Sequence, residues 1–368
     1  MTSSTTSTTY ERLTPLMCMR LAAPHTWPGP SVLPTVFGGL FAILAGCAFS
    51  PALWCLLLAV AILAQSAVNT LNDWADFKKG TDTLQNCDDP SDAVLVYQNP
   101  NPKHVLILAL AEMAAAFICG IICCLVAQTL LPLVIGIIGA IVIVIYSNSK
   151  LPISYLPLGE VVSGVVMGLL IPLADVFVFE GYTKCSGSLS ALLAQGGFGA
   201  LFTQGNWLDL WGSTLSAFSF FGASAGNAAE GAQLPFFICV LPFVLGIALV
   251  MATQNTCDIE RDKPAGRHTL SVLLGRKRAR LLYRIVIIFW IALVLHCVFW
   301  YFSTGFWVLV IVLILGAGSL CAILKSQLTH EVRAASMAAI NKANLFINGG
   351  YILAIMYVFI SPGTGFLG

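Results

Sequence analysis

Charge is what this chain has least of: Asp, Glu, Lys and Arg make up 10% of its 368 residues, against about one quarter in a typical soluble domain. With 58% hydrophobic residues and a mean hydropathy of +0.88, a soluble globule is excluded. The 18 Lys and Arg nearly balance the 17 Asp and Glu, giving a net charge of +1. No basic surface on the scale needed for nucleic acid is therefore available. The twelve cysteines fall mostly inside apolar runs and form neither a CxxC pair nor a His-spaced ligand set, so neither a disulfide framework nor a zinc site is indicated. The start of the chain lacks the charged, apolar and small-residue segments of a signal peptide. Its Ser/Thr-rich residues 1–19 read as a short disordered tail ahead of one membrane domain over 20–368.

What the chain has in abundance is apolar runs long enough for the roughly 20 residues that a helix needs to cross a bilayer. They lie at 31–48, 51–71, 104–126, 130–146, 158–178, 234–256, 281–302, 304–324 and 342–360. The expectation is an all-α integral membrane bundle of nine transmembrane helices. An odd count with the N-terminus in the cytoplasm and the C-terminus outside puts 17 of the 18 Lys and Arg on the cytoplasmic side, leaving only Lys184 external. That is the distribution the positive-inside rule requires. The long polar connections 72–103 and 257–280 then face the cytoplasm of a cell-membrane protein, and function is expected there. The connection 180–233, rich in Gly, Ser, Ala and aromatics, reads as an external insertion without chemistry of its own.

The scarce carboxylates gather at two helix ends: Asn72-Asp73-Trp74-Ala75-Asp76, with Asp82 beyond Gly80, and Asp258-Ile259-Glu260-Arg261-Asp262. Spacings of three and four residues stack such side chains on one helix face, where like charges repel unless a cation lies between them. One or two carboxylates completed by water and substrate phosphate are what Mg²⁺ prefers. The clusters also align: Asn69-Thr70, Asp76 and Gly80 recur 186 residues later as Asn255-Thr256, Asp262 and Gly266, with Asn72 answered by Asp258. This is an internal repeat with a four-helix unit, whose even offset keeps both acidic ends on one membrane side. Ordinary solvated helix ends would need no such register. The chemistry implied is the handling of a phosphorylated lipid, a diphosphate above all, in the plane of the bilayer.

Cations at the same level, Lys78, Lys79, Lys150 of the Tyr146-Ser-Asn-Ser-Lys150 element and Arg267, could hold such a diphosphate. Each could equally be a topology anchor, and the run Arg276, Lys277, Arg278 and Arg280 is read as one. Glu112 lies inside the third run, where an ionisable side chain is a functional candidate by default but could also be neutral and hydrogen-bonded.

The segments NDWADFKKGTD at 72–82 and DIERDKPAGRHTLSVLLGR at 258–276 resemble the UbiA-type intramembrane aromatic prenyltransferases. KKGTDT at 78–83, Ala265-Gly266-Arg267 with Thr269-Leu270, and KLPISYLPLGE at 150–160 look most like the 1,4-dihydroxy-2-naphthoate polyprenyltransferase branch of menaquinone biosynthesis. The opening RLAAPHTWPGPSVLPTVFGG at 20–39 also looks like the family's start. The resemblance implies a central cavity open to lipid, with two Mg²⁺ ions gripping a polyprenyl diphosphate at its cytoplasmic cap. Carried over by position, Asn72, Asp73 and Asp76 would hold one metal, and Asp258 and Asp262 the other. Tyr146, Lys150, Arg267 and the lysines Lys78 and Lys79 would attend the diphosphate, with Asp76, Asp262 and Lys150 central to catalysis. Gly80 stands where the broader first motif has a third Asp, with Asp82 as a candidate replacement; Ala23 stands where the family often has Arg, with Arg20 three residues earlier.

The activity implied is transfer of the polyprenyl chain to 1,4-dihydroxy-2-naphthoate with loss of diphosphate and CO₂. Sister reactions on 4-hydroxybenzoate, homogentisate, haem or a chlorophyllide are alternatives. Two other classes compete. A CDP-alcohol phosphatidyltransferase would need a DG-x-x-AR pattern that is absent, and a transporter with repeated carboxylates would place them near the bilayer midplane.

Overall fold

A computed structural model describes residues 10–80, 83–84, 93–147, 152–184 and 236–361. Among these the regular elements are all helices, besides one isolated bridge between Glu11 and Pro100. In chain order the helices are α1 (Pro15–Ala22), α2 (Leu33–Leu44), α3 (Pro51–Lys79), α4 (Val94–Gln98), α5 (Pro102–Ala127), α6 (Leu131–Ser147), α7 (Gly159–Val165) and α8 (Ile171–Lys184). Then follow α9 (Phe236–Cys257), α10 (Ile259–Asp262), α11 (Leu270–Tyr301), α12 (Phe306–Lys325) and α13 (Arg333–Ile360).

Local chemistry sets their ends. Ser50 caps α3 by accepting from the Leu53 N–H, Pro51 fills its first turn, and Gly80 at φ +71° closes it, with Lys78 and Lys79 in the last turn facing the negative dipole end. Asn101 and Thr269 cap α5 and α11 in the same way. A turn of π-helix over Val166–Leu170 joins α7 to α8 as one span. It passes so close to α9 that a Cβ on Gly168 would lie 2.5 Å from the Val244 nitrogen.

Among the described residues, seven helices are long and apolar enough to cross a membrane, or eight if the pair Pro15–Thr26 and Pro28–Leu44, bent by 62°, counts as one span. The expected span at 130–146 is a 17-residue helix, shorter than the roughly 20 needed for a full crossing. The bend has a cause in sequence, since Pro24, Pro28, Pro30 and Pro34 each remove a backbone donor. Residues 10–19, expected to be part of an unstructured tail, are instead built into the fold. Met17 and Leu21 of α1 are buried against Val94, Leu95 and Val105, and the Glu11 N–H donates to the Asn99 carbonyl. An amphipathic turn can bury its apolar residues there even though the sequence around it is polar.

The main core is aromatic: Phe37 packs on Phe243 (4.8 Å between ring centres) and Tyr351 (6.0 Å), with Phe41, Phe236 and Trp290 beside them. Outward faces of α5, α11 and α12 present Ile107, Phe289, Ile314 and Leu315 to the surroundings. Lipid, not water, suits that surface.

Candidate active site

The two acidic motifs meet. Asp76 projects from the last turn of α3. Asp262 ends α10, and the chain then reverses: Gly266 at φ +73° lets the Arg267 N–H donate back to the Asp262 carbonyl at 3.0 Å. Arg267 thereby bridges the motifs, with Nη2 3.2 Å from Asp76 Oδ1 and Nη1 3.6 Å from Asp262 Oδ1. Carboxylates 186 residues apart in sequence share one guanidinium.

Burial pushes the Asp262 carboxyl up to about 6; Arg267 pulls it down, while Asp258 and Asp76 push it further up. Burial alone would weaken the Arg267 charge, but Asp76 and Asp262 outweigh it and hold the guanidinium above its ordinary value. The cap thus brings the carboxylates of both motifs together with one arginine between the two halves.

Tyr155 organises the cations. It ends a 3₁₀ turn at Ile153–Tyr155, accepts the His268 N–H on its carbonyl at 2.8 Å, and lies beneath both Arg267 (5.2 Å from Cζ to the ring centre) and Lys79 (5.3 Å from Nζ). Asp258 is held from the far end of the chain: Arg333 Nε lies 3.1 Å from its Oδ2 and His330 Nδ1 lies 3.4 Å from its Oδ1. Arg276, read as an anchor, donates to the Thr256 carbonyl at 3.0 Å and pairs with Glu260, so it braces the second motif. Arg280 and Arg284 donate to the Ser326 and Leu324 carbonyls at the end of α12.

Asn72, Asp73 and Asp76 share the last two turns of α3, and Lys78 is exposed beyond them. Arg20, in the last turn of α1, is also exposed. Tyr146 ends α6 with its hydroxyl 3.5 Å from Met251 Sδ. Glu112 accepts from Thr70 at 2.9 Å, the hydrogen-bonded alternative for that residue. Lys150, Asp82 and nearly all of 180–233 lie outside the described residues. No three His, Cys, Asp or Glu side chains among the described residues converge as a ready-made metal cage. Mg²⁺ needs none, because one or two carboxylates with water and phosphate oxygens suffice. The crowded Asp76, Asp258 and Asp262 fit that requirement.

Between α3, α5, α6 and α8 runs a cavity of about 170 Å³, lined almost wholly by apolar groups such as Val68, Phe117, Ile143 and Leu170. Asp175 faces it, 2% exposed, with Oδ2 unpartnered. Sequence reasoning missed Tyr155, His330, Arg333 and Asp175. Tyr155 sits inside a quoted motif and could have been singled out as the aromatic between two cationic elements; His330 and Arg333 share no spacing with anything they serve.

A profile of the UbiA prenyltransferase family matches residues 31–349. A curated relative, the 1,4-dihydroxy-2-naphthoate octaprenyltransferase of Bacillus subtilis (strain 168), is 26% identical over 260 residues, covering 71% of this chain and 66% of the relative. Among solved structures, a UbiA homolog from Aeropyrum pernix K1 in its apo form superposes with a TM-score of 0.52 at 18% identity, over 90% of this chain and 98% of that one. A digeranylgeranylglyceryl phosphate synthase does so with 0.51 at 13% identity, over 93% and 98%. The fold is therefore shared with these proteins, and with a profile match across most of its length the chain belongs to the UbiA prenyltransferase family.

Proposed function

We propose that this protein transfers a polyprenyl chain from polyprenyl diphosphate to 1,4-dihydroxy-2-naphthoate, releasing diphosphate and CO₂. The observation that carries the reading is the bridge of Arg267 between Asp76 and Asp262, which joins two repeated acidic motifs above an apolar cavity. The naphthoate-type elements KKGTDT, AGRHTL and KLPISYLPLGE support the acceptor, as does the printed name of the Bacillus subtilis relative.

Mg²⁺ held by Asn72, Asp73 and Asp76 on one side and by Asp258 and Asp262 on the other would neutralise the diphosphate charge as it leaves. The chain's own groups do the rest. Arg267, Lys79 and Lys78, with Lys150 and the Tyr146 hydroxyl, bind diphosphate oxygens and stabilise their growing charge. Tyr155 keeps Arg267 and Lys79 aimed at one place. The cavity wall excludes water from the allylic cation that forms, so that a ring carbon rather than hydroxide captures it. Attack at the carboxylated ring carbon leaves no proton there to lose, and departure of CO₂ restores aromaticity. If α6 also crosses beside the seven long spans and the bent N-terminal pair, the N-terminus in and the C-terminus out would put this site on the cytoplasmic side of the cell membrane.

Purified protein given a long prenyl diphosphate, Mg²⁺ and carboxyl-labelled 1,4-dihydroxy-2-naphthoate should release label as CO₂ in step with prenylated naphthalenediol, read by mass spectrometry. Retained label, or preference for 4-hydroxybenzoate, would move the protein to a sister reaction. Lys277→Cys, at an exposed position, should resist an impermeant thiol reagent in sealed cells and react after lysis.

A further inference from the structure

The second acidic motif continues below its acids. Asn255 precedes Asp258 by three residues and Asp262 by seven; the helix breaks at Asp258, but i to i−4 bonds continue on both sides of the break, the Asp258 N–H donating to the Gln254 carbonyl at 3.0 Å and the Asp262 N–H to the Asp258 carbonyl at 2.8 Å. At the rise of a helix Asn255 therefore sits roughly 5 Å deeper than Asp258, the first of those carboxylates. Its amide donates to Glu160 Oε1 at 2.8 Å, across to the first turn of α7. Glu160 is 5% exposed, yet its Oε2 has no hydrogen-bond partner. A glutamine would serve Asn255 equally well without placing a charge there, so the Asn255 contact does not account for a carboxylate.

The surroundings say what the free oxygen faces. The Tyr146 hydroxyl closes one side, against Gly159, where a Cβ would come within 3.2 Å of it. The apolar cavity begins one turn below Tyr146 at Ile143, and one to two turns below Glu160 at Val166. Glu160 thus stands between the acidic cap and the top of the cavity. That is the level of the first carbons of a chain whose diphosphate is held at the cap, where an acceptor ring must approach. Of the titratable and charged groups on packed elements, Tyr146 comes from α6 and senses both Glu160 and Arg267, and the neighbouring turns of α9 bring the neutral Met251 and Asn255.

We infer that Glu160 Oε2 accepts the hydrogen bond of the acceptor's ring hydroxyl and takes its proton as the neighbouring ring carbon is alkylated. This rests on the aromatic-acceptor reading above. As the O–H proton passes to Glu160, the oxygen becomes a carbonyl and a ring electron pair forms the bond to the first prenyl carbon. The bond from that carbon to diphosphate breaks, its pair leaving on diphosphate. Where the alkylated carbon bears a carboxylate, the product is a β-keto acid. Its bond to the carboxylate then breaks, CO₂ leaves, the ring electrons return, and the oxygen recovers its proton from Glu160. No further reactant is consumed.

Glu160→Gln retains an acceptor for Asn255 in nearly the same volume. It should lower kcat by about 10²–10⁴-fold, while the calorimetric Kd for prenyl diphosphate in Mg²⁺ changes less than about twofold. Glu160→Asp should recover part of kcat. An acceptor methylated on the hydroxyl beside the reacting carbon has no proton to give and should react slowly and equally with wild type and Glu160→Gln. Unchanged kcat in Glu160→Gln would overturn the inference and leave prenyl transfer standing, as would a loss confined to diphosphate binding. Wild-type protein that binds prenyl diphosphate but alkylates no phenolic acceptor would overturn both.

Discussion

The two acidic motifs are copies in sequence but not in support. The first lies on one unbroken helix of 29 residues, and Asp76 at its end keeps 25% of its side chain exposed. The second is broken at Asp258, a single helical turn follows, and Asp262 is 7% exposed. Their repeated Asn-Thr pairs have also parted ways: Asn69 donates to the Ala22 carbonyl and Thr26, and Thr70 to Glu112. Asn255 donates to Glu160, while Thr256 meets Ser271. Cations from α13 and α11 clamp the second motif through Arg333 on Asp258 and Arg276 on Glu260. The second half is thus a braced platform, and the first is a helix tip that reaches it through Arg267. The same register of acids is thus served by different partners, and cations from two other helices clamp the second set.

If both halves hold metal, the largest effect is at the acids themselves. Asp76→Ala or Asp262→Ala should reduce turnover by about 10³-fold or more in metal-saturated assays, and EDTA should do the same to wild type. Near wild-type rates in both variants would refute the two-site reading. The comparison sharpens in the metal-free protein: Asp262→Asn removes a buried charge that its surroundings disfavour and should raise the thermal midpoint, whereas the more exposed Asp76→Asn should not. Arg267→Lys should act next most strongly, raising KM for the prenyl diphosphate by about tenfold, because an ammonium cannot span two carboxylates as a guanidinium does. Arg333→Met should follow, raising the Mg²⁺ concentration for half activity by about tenfold through loss of the group that orients Asp258. An equal effect on the first motif's partner Thr70→Val would contradict the braced-platform picture.

The helices were legible because an apolar run of membrane length has few other readings, and both motifs were legible because carboxylates are rare enough here for their register to stand out. Helix ends were less so. α3 runs on through Asn72 to Lys79, where polar residues still complete its last turns, and α11 starts at Leu270, kinks at Gly275 (φ +73°) and continues through a basic stretch whose apolar run begins only at 281. The N-terminal bend was hidden by its own apolar composition, although the prolines that cause it were in view. At the site, Arg267 was identified as a diphosphate contact, but its bridge to Asp76 depends on how a left-handed turn at Gly266 folds the chain back. His330, Arg333 and Glu160 meet the motifs only through tertiary packing, which leaves no period in sequence.

The smallest expected effect concerns Asp175, on α8 and outside both acidic motifs. α2 approaches α8 so closely there that a Cβ on Gly38 would lie 2.7 Å from Asp175 Cβ and Oδ2, so the carboxyl is wedged between helix and cavity with one oxygen unpartnered. Neither acidic motif nor any cation of the cap is among its contacts with Gly38 or the cavity wall. Replacing a buried, unpaired polar group by an apolar one of similar shape contributes about 1–3 kcal/mol, and the extra methyl bulk of Asp175→Val can enter the cavity rather than press on Gly38. The variant should melt a few degrees higher in detergent and turn over within about twofold of wild type. A lower melting point or lost turnover would mean that the carboxyl is bonded to something the cavity admits, and the apolar chamber would then have a polar end as well as an acidic cap.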